Sequence, residues 1–278
     1  MHFLSLRNIK IWFESIRLSL IMAGVIGSFM TIIGFSLLEF FPQKSWHYRL
    51  LCLLAFLFVL VLIISICKSI MIRYFISIKI HGVTVHIKQG DIFKAEGKKI
   101  IPMNEYFDTI VDDEIVAKNS LHGIFINNYV KDIDDFKQKI DNINESYTSL
   151  KKYKKKSRTA YPIGRIIPYG DFFLLSFTEF NDKNEAHLTK SKYEDCLIRM
   201  WQEICRLYAQ NPINLPLLAS GQTRIDDWLS RTNFDLLKSL LNSLFISRVD
   251  IRQPITIILT KDVMKGINIY ELKGVKYL

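Results

Sequence analysis

The chain lacks the signatures of most well-known catalytic sites. It has no P-loop, no Ser-His-Asp arrangement and no zinc-binding pattern, which argues against phosphate-loop hydrolases, serine hydrolases and zinc enzymes. Cysteine is scarce, with four in 278 residues. Cys52 and Cys67 lie in apolar runs, and Cys196 and Cys205 sit on one expected helix. No pair has metal-ligand spacing, so all four read as reduced structural thiols. Asp112-Asp113-Glu114 has no His or further carboxylate at helical spacing, so it reads as an exposed acidic loop. No internal repeat is visible.

A strong excess of positive charge is also missing, although the formal net charge is +10. Residues 1–72 carry 6 Lys and Arg against 2 Asp and Glu, and residues 73–278 carry 31 against 25. Six of those 31 fall in one run, Lys151-Lys152-Tyr153-Lys154-Lys155-Lys156-Ser157-Arg158. Without it the C-terminal part is balanced, whereas a nucleic-acid reader spreads positive charge over a face. Nucleic acid is therefore not the expected partner.

What the sequence does have is two long apolar runs. Leu18 to Phe41 holds 24 residues with one acidic side chain, Glu39. As a helix rising about 1.5 Å per residue, it is long enough to cross a hydrocarbon core of about 30 Å. Leu50 to Ile72 carries no charge before Lys68, which is close enough to the end to snorkel. Pro42 to Arg49 makes a short tip, in which Trp46 and Tyr48 suit the membrane interface. The alternative is a buried helical pair in a soluble core.

Arg7, Lys10 and Arg17 precede the first run, and Lys68, Arg73 and Lys79 flank the end of the second. This bias predicts a multi-pass membrane protein with both termini in the cytoplasm. No cleavable signal peptide is expected, because no small-residue site follows the first run. Residues 1–17 read as an amphipathic surface helix or a plain leader. The expected division is 1–72 for leader and spans, and 73–278 for a cytoplasmic domain.

The remainder alternates strands with helices, which predicts an α/β domain of three layers. Phe75 to Ile87 alternates about His81-Gly82 as a hairpin. Lys98 to Met103 and Asn214 to Leu218 read as short buried strands. Asn104 to Gly123 reads as a long loop of the kind that binds ligands. Residues 132–147 and 193–209 have helical apolar spacing, the latter with Glu203 on its polar side. The lysine run reads as a frayed helix end plus a mobile, solvated loop, or as a patch for anionic headgroups. Tyr161 to Phe180 reads as paired strands turning at Pro168 to Asp171. Asp226 to Leu229 and Asn233 to Phe245 read as helix, the latter capped by Thr232. Ile255 to Leu259 is a β-branched strand, with Ile267 to Tyr270 expected beside it.

Two loops leave short buried strands, one after Met103 and one from Ala219 to Arg224. In open α/β sheets, ligands sit outside the carboxyl ends of the strands. The second loop contains glycine and is expected to run into a helix, an arrangement that suits a phosphate or a plain turn. Asp91 reads either as a ligand acceptor or as the residue closing a turn after Gly90. His122 reads as a ligand contact or as an ordinary loop histidine.

Gly90-Asp91-Ile92-Phe93, the strand ending at Asn104, Asn119-Ser120-Leu121-His122-Gly123 and Leu217-Leu218-Ala219-Ser220-Gly221 together resemble a macro domain. The resemblance implies a mixed sheet between helical layers and a site for ADP-ribose. Asp91 would accept from the adenine amino group, with Ile92 packed beside it. Asn104, Ser120, Leu121, His122 and Gly123 would line the ribose side. Ser220, Gly221, Gln222 and Thr223 would cradle the diphosphate, with Arg224 adding charge. The Gly-Gly-Gly-Val-Asp-like run of hydrolytic macro domains is missing, since Ile124-Phe125-Ile126 follow Gly123, which argues against hydrolysis and for no enzymatic role.

With two spans in front, the chain is similar to the membrane effectors of type II Thoeris, an anti-phage system. The phrases carrying this are Ile101 to Asp108 and Lys118 to Gly123. The resemblance implies a partner TIR-domain enzyme that makes histidine–ADP-ribose, its capture by the macro-like domain, and membrane disruption that halts the host. No cofactor is implied. Oligomerisation is expected because two helices alone form no pore, and Gly24, Gly27, Ser28 and Gly34 would let helices approach closely. The rival readings are a membrane-tethered ADP-ribosyl hydrolase and a structural anchor for a protein partner.

Overall fold

The computed structural model describes residues 16–25, 27–28, 46–143, 150–155, 157–180 and 185–267. It divides at Tyr74/Phe75 into two compact units. In the first, residues 16–25 are helical (α1) and Trp46–Tyr74 form a 29-residue helix, α2. The second apolar run is thus helical, while most of the first lies outside the described residues. Among the described residues, no helix is long and apolar enough to cross a membrane.

The second unit begins with a hairpin, β1 (Phe75–Ile80) and β2 (Val83–Gln89), paired antiparallel. Its two-residue turn needs positive φ at both positions, and His81 (45°) and Gly82 (84°) supply it. The other strands of the main sheet are β3 (Lys98–Asn104), β6 (Ile166–Tyr169), β7 (Phe172–Phe180), β8 (Ala186–Leu188), β9 (Ile213–Pro216), β10 (Arg224–Ile225) and β11 (Ile255–Leu259). The sheet order is β1-β2-β11-β9-β3-β7-β8-β10, with β6 also on β7. From β2 to β7 every neighbouring pair is parallel, whereas β1, β6 and β8 join antiparallel. A five-strand parallel centre therefore sits in a mixed sheet.

Helices cover both faces. Ile101, Met103, Ile167 and Leu174 pack against Phe125 and Ile126 of α3 (Leu121–Tyr129) and Phe136 and Ile140 of α4 (Ile133–Asp141). On the other side, Phe177 meets Tyr193 of α5 (Lys190–Leu207). Trp201 Nε1 of α5 donates to Ser243 Oγ of α6 (Asn233–Ser247) at 2.8 Å. A short helix, α7 (Lys261–Lys265), follows β11. Side chains cap these helices as their sequences suggest, from Asp132 and Thr189 to a full capping box at Thr232 and Asp235.

Several expectations need correction. The lysine run is not a frayed end: Tyr153–Lys155 (β4) and Arg158–Ala160 (β5) form an antiparallel ribbon. Asp226 to Leu229 is not helical, because the chain spends Arg224–Ile225 pairing with His187–Leu188 and then turns. Glu203 is not on a solvated face; it is buried, 2.9 Å from the buried guanidinium of Arg165. The helix expected over 132–147 ends at Asp141, and Tyr147 lies outside the described residues. The strand expected at Ile267 to Tyr270 likewise lies outside them beyond Ile267.

Candidate functional site

Because β2, β11, β9, β3 and β7 run parallel, their carboxyl ends open on one rim. A cleft of about 760 Å3 lies there, lined by residues that follow each of those strands. Such a rim is where open α/β sheets take ligands. A bulge borders it: Met103 pairs with Ser176 but Asn104 with Thr178, leaving Phe177 as the extra residue and a cleft-lining one.

Of the twelve residues singled out above, Asp91, Ile92, Asn104, Ser120, Leu121, His122, Ser220, Gly221, Gln222 and Thr223 line the cleft. Asp91 closes the turn after Gly90 and also lines the cleft. Its Oδ1 accepts from Phe93 N at 3.0 Å, capping a 3-10 turn over Ile92–Lys94, while the residue itself stays exposed at the rim. Ile92 beside it is buried.

Asn104 is buried, and its amide organises a turn. Oδ1 accepts from the backbone N–H groups of Tyr106 (3.2 Å) and Asp108 (3.1 Å), and Nδ2 donates to Asp108 Oδ2 at 2.9 Å. The turn carries Phe107 at φ 53°, a left-handed conformation for a bulky side chain, which costs about 1–3 kcal/mol. Packing offsets it, since Phe107 is buried with its ring edge-on to Tyr161.

The expected loop from Asn104 to Gly123 ends three residues early. Ser120 is the N-cap of α3, its Oγ accepting from Gly123 N at 3.0 Å. Leu121, His122 and Gly123 therefore form the first helical turn, and no acidic residue sits there. This aims a helix N-terminus, with its partial positive charge, at the cleft. Gly123 does not line the cleft. A Cβ there would lie 2.3 Å from the Ala117 carbonyl oxygen, so its role is close packing.

His122 is buried, and burial depresses its pKa to about 4. Its Nε2 lies 2.7 Å from the main-chain oxygen of Asp108. A carbonyl only accepts, so Nε2 carries the proton and Nδ1 is left as an acceptor. The loop over 112–118 is pinned by its own carboxylates. Asp112 Oδ1 takes the N–H groups of Glu114 and Ile115, and Asp113 takes the N–H and ammonium of Lys118. These bonds hold both aspartates below the usual carboxylate range. Among the described residues no group of His, Cys, Asp and Glu is placed to hold a metal.

The Ala219 to Thr223 segment meets the cleft as a bare loop and enters β10, correcting the expected helix start. Ala219 is left-handed at φ 63°, Ser220 Oγ donates to Leu217 O at 2.7 Å, and Arg231 donates to Thr223 O at 2.8 Å. Arg224 does not line the cleft; it is exposed and pairs with Glu185 at 3.6 Å. No lysine or arginine is among the described residues lining the cleft, and Asp91 is the one carboxylate there. An anion would thus be met by backbone N–H groups.

Five contributors were not marked by the sequence pattern. Thr260 and Val263, at the start of α7, close the rim after β11. Phe177 enters as the bulge residue, and Phe180 reaches the cleft from the end of β7. Asp108 organises Asn104 and His122 together; its spacing of four from Asn104 was the available signal.

Residues 85–260 match the family described as Thoeris protein ThsA, Macro domain. The chain is 37% identical over 236 residues to the Thoeris protein ThsA of Bacillus amyloliquefaciens (strain Y2), covering 80% of this chain and 79% of that one. Among solved structures, the Oceanobacillus iheyensis macrodomain with ADP aligns at TM-score 0.46 and 13% identity, over 72% of this chain and 94% of that one. A point mutant of the same macrodomain aligns at 0.45 and 15%, over 72% and 91%. With the family match spanning most of the domain and the ThsA relative spanning most of the chain, this protein belongs to the Thoeris ThsA macro-domain family.

Proposed function

We propose that the Phe75–Leu278 unit senses an ADP-ribose-type signal in anti-phage defence. The observation that carries this is the convergence on one cleft of Asp91, the N-terminus of α3 and the bare loop Ser220 to Thr223. Asp91 accepts from the adenine amino group, and Ile92 packs against the ring. The N–H groups of the Ser220 to Thr223 loop hold the diphosphate. Asn104, Ser120 and His122 border the distal ribose and whatever it carries.

The signal is histidine–ADP-ribose, made by a partner TIR-domain protein, as in type II Thoeris. The protein binds it without turning it over, a reading supported by Ile124-Phe125-Ile126 standing after Gly123 where hydrolytic macro domains carry a Gly-Gly-Gly-Val-Asp-like run. The runs 18–41 and 50–72 form two membrane spans, with both termini in the cytoplasm of the bacterial cell. Ligand binding selects an oligomer whose membrane segments disrupt the inner membrane and arrest growth. Reversing a population of about 99:1 requires the ligand to prefer the active arrangement by roughly 5.5 kcal/mol. Calorimetry with ADP-ribose and histidine–ADP-ribose tests the reading. Saturable heat with the conjugate supports it, and absence of heat with both removes it.

A further inference from the structure

The ribbon β4–β5 pairs with no strand of the main sheet among the described residues. A two-stranded ribbon is marginal in water by itself, so something else must hold it. Charge does. Lys155 Nζ lies 2.9 and 3.0 Å from the two oxygens of Glu105, whose side chain is 0% exposed. Tyr153 OH reaches the same carboxylate at 3.3 Å, and Phe180 N donates to it at 3.2 Å. Three residues on, Arg158 pairs with the Asp108 carboxylate and lays its guanidinium over the Tyr106 ring, 3.9 Å from the centroid.

Among the described residues, the ribbon's hydrogen-bonded side-chain anchors fall on one short turn, Asn104 to Asp108, while Glu179 of β7 lies 4.0 Å from Lys155 Nζ. That turn holds the strained Phe107, and its Asn104 and Asp108 fix two cleft-lining side chains, Asn104 itself and His122. Strained backbone persists where its surroundings over-determine it. Here the surroundings include two cations from a segment outside the sheet.

We propose that the basic ribbon Tyr153–Ala160 is a positioning element of the cleft, with Lys155 and Arg158 gripping Glu105 and Asp108 so that the Asn104–Asp108 turn keeps His122 in its ligand-facing place. The proposal rests on the sensor reading only for the identity of the ligand. Lys155 and Arg158 are positioning residues; neither lines the cleft.

The test uses the full chain in detergent micelles, labelled with nitrogen-15 at histidine. The Nε2–H signal of His122, identified by its loss in His122→Gln, reports the bond to Asp108 directly. Arg158 is half exposed, so Arg158→Ala is expected to keep the thermal midpoint, lose that signal and weaken ADP-ribose about tenfold. Arg158→Lys keeps the charge and is expected to restore the signal in part. Arg224→Ala, removing a cation outside the cleft, changes neither readout. Lys155→Met repeats the test from the other anchor should Arg158→Ala not fold. An unaltered His122 signal in folded Arg158→Ala or Lys155→Met protein overturns the proposal. Loss of the signal in a protein that binds neither ADP-ribose nor histidine–ADP-ribose sustains the positioning role and refutes the sensor reading instead.

Discussion

The imidazole of His122 and the main-chain carbonyl of Asp108 meet at 2.7 Å, at the point where the first turn of α3 touches the turn that ends β3. The contact fixes the tautomer and joins two of the walls that frame the cleft. Because the ring is buried, protonation is disfavoured and the pKa drops to about 4 from 6.5.

That depression makes stability depend on pH. Between about 4 and 6.5 an unfolded chain binds the proton that the folded chain refuses, so stability is full above the upper value and falls as pH drops through the window. The expected loss is on the order of 3 kcal/mol. Urea unfolding at pH 7 and pH 4.5 should show it, and His122→Gln, which cannot titrate, should flatten this part of the profile.

Gly123 and Gly221 should respond oppositely to alanine. At Gly123 the new methyl meets backbone oxygen at 2.3 Å, whereas at Gly221 nothing lies within 4 Å. Gly123→Ala is expected to cost about 1–3 kcal/mol or more, as overpacking does. Gly221→Ala should leave the thermal midpoint unchanged while weakening ADP-ribose, because its methyl enters the cleft. Equal midpoints for the two variants would contradict this account.

The Arg165–Glu203 pair sets a third expectation. Both side chains are buried, and Arg206 also reaches Glu203, at 3.0 Å. Glu203→Ala strands a buried guanidinium and should destabilise by about 3–5 kcal/mol. Chemical denaturation measures this, and Glu203→Gln should lose less because it keeps an acceptor for Arg165.

Asp91 should matter for the ligand more than for the fold. Asp91→Asn keeps an oxygen for Phe93 N but is a poorer partner for an adenine amino group. Hydrogen bonds to charged groups contribute about 1.5–3 kcal/mol, so ADP-ribose affinity should fall about tenfold or more with little change in melting. Calorimetry beside a thermal scan separates the two effects.

Removing residues 1–74 should abolish membrane fractionation and toxicity while leaving ADP-ribose affinity intact. Gly27→Leu should reduce toxicity in the same direction by keeping helices apart. Toxicity that survives the deletion would show that the bilayer is not the target.

Local pattern revealed what local physics decides. The alternation about His81-Gly82, the apolar spacing of Leu197, Met200, Trp201 and Ile204, and the cap at Thr232 all became the expected elements. What it misread depended on partners far along the chain. Glu203 looked solvated until Arg165 was placed beside it. The lysine run looked frayed and mobile because Glu105 and Asp108, about fifty positions earlier, were not in the same window. Ser120-Leu121-His122-Gly123 read as loop, yet Ser120 was an N-cap and Gly123 a packing residue. Within the cleft, residue types that follow strands were readable, whereas Asp108, which holds Asn104 and His122, was marked only by its spacing of four from Asn104.

That no lysine or arginine is among the described residues of the cleft mouth has a bearing on selectivity. Long-range attraction would gather ATP, coenzymes and every other abundant polyphosphate, and would fade as ionic strength rises. A cradle of main-chain dipoles exerts little pull at a distance and discriminates by fit alone. Ligand affinity at such a site is expected to change little with ionic strength, which binding measured across a salt series checks.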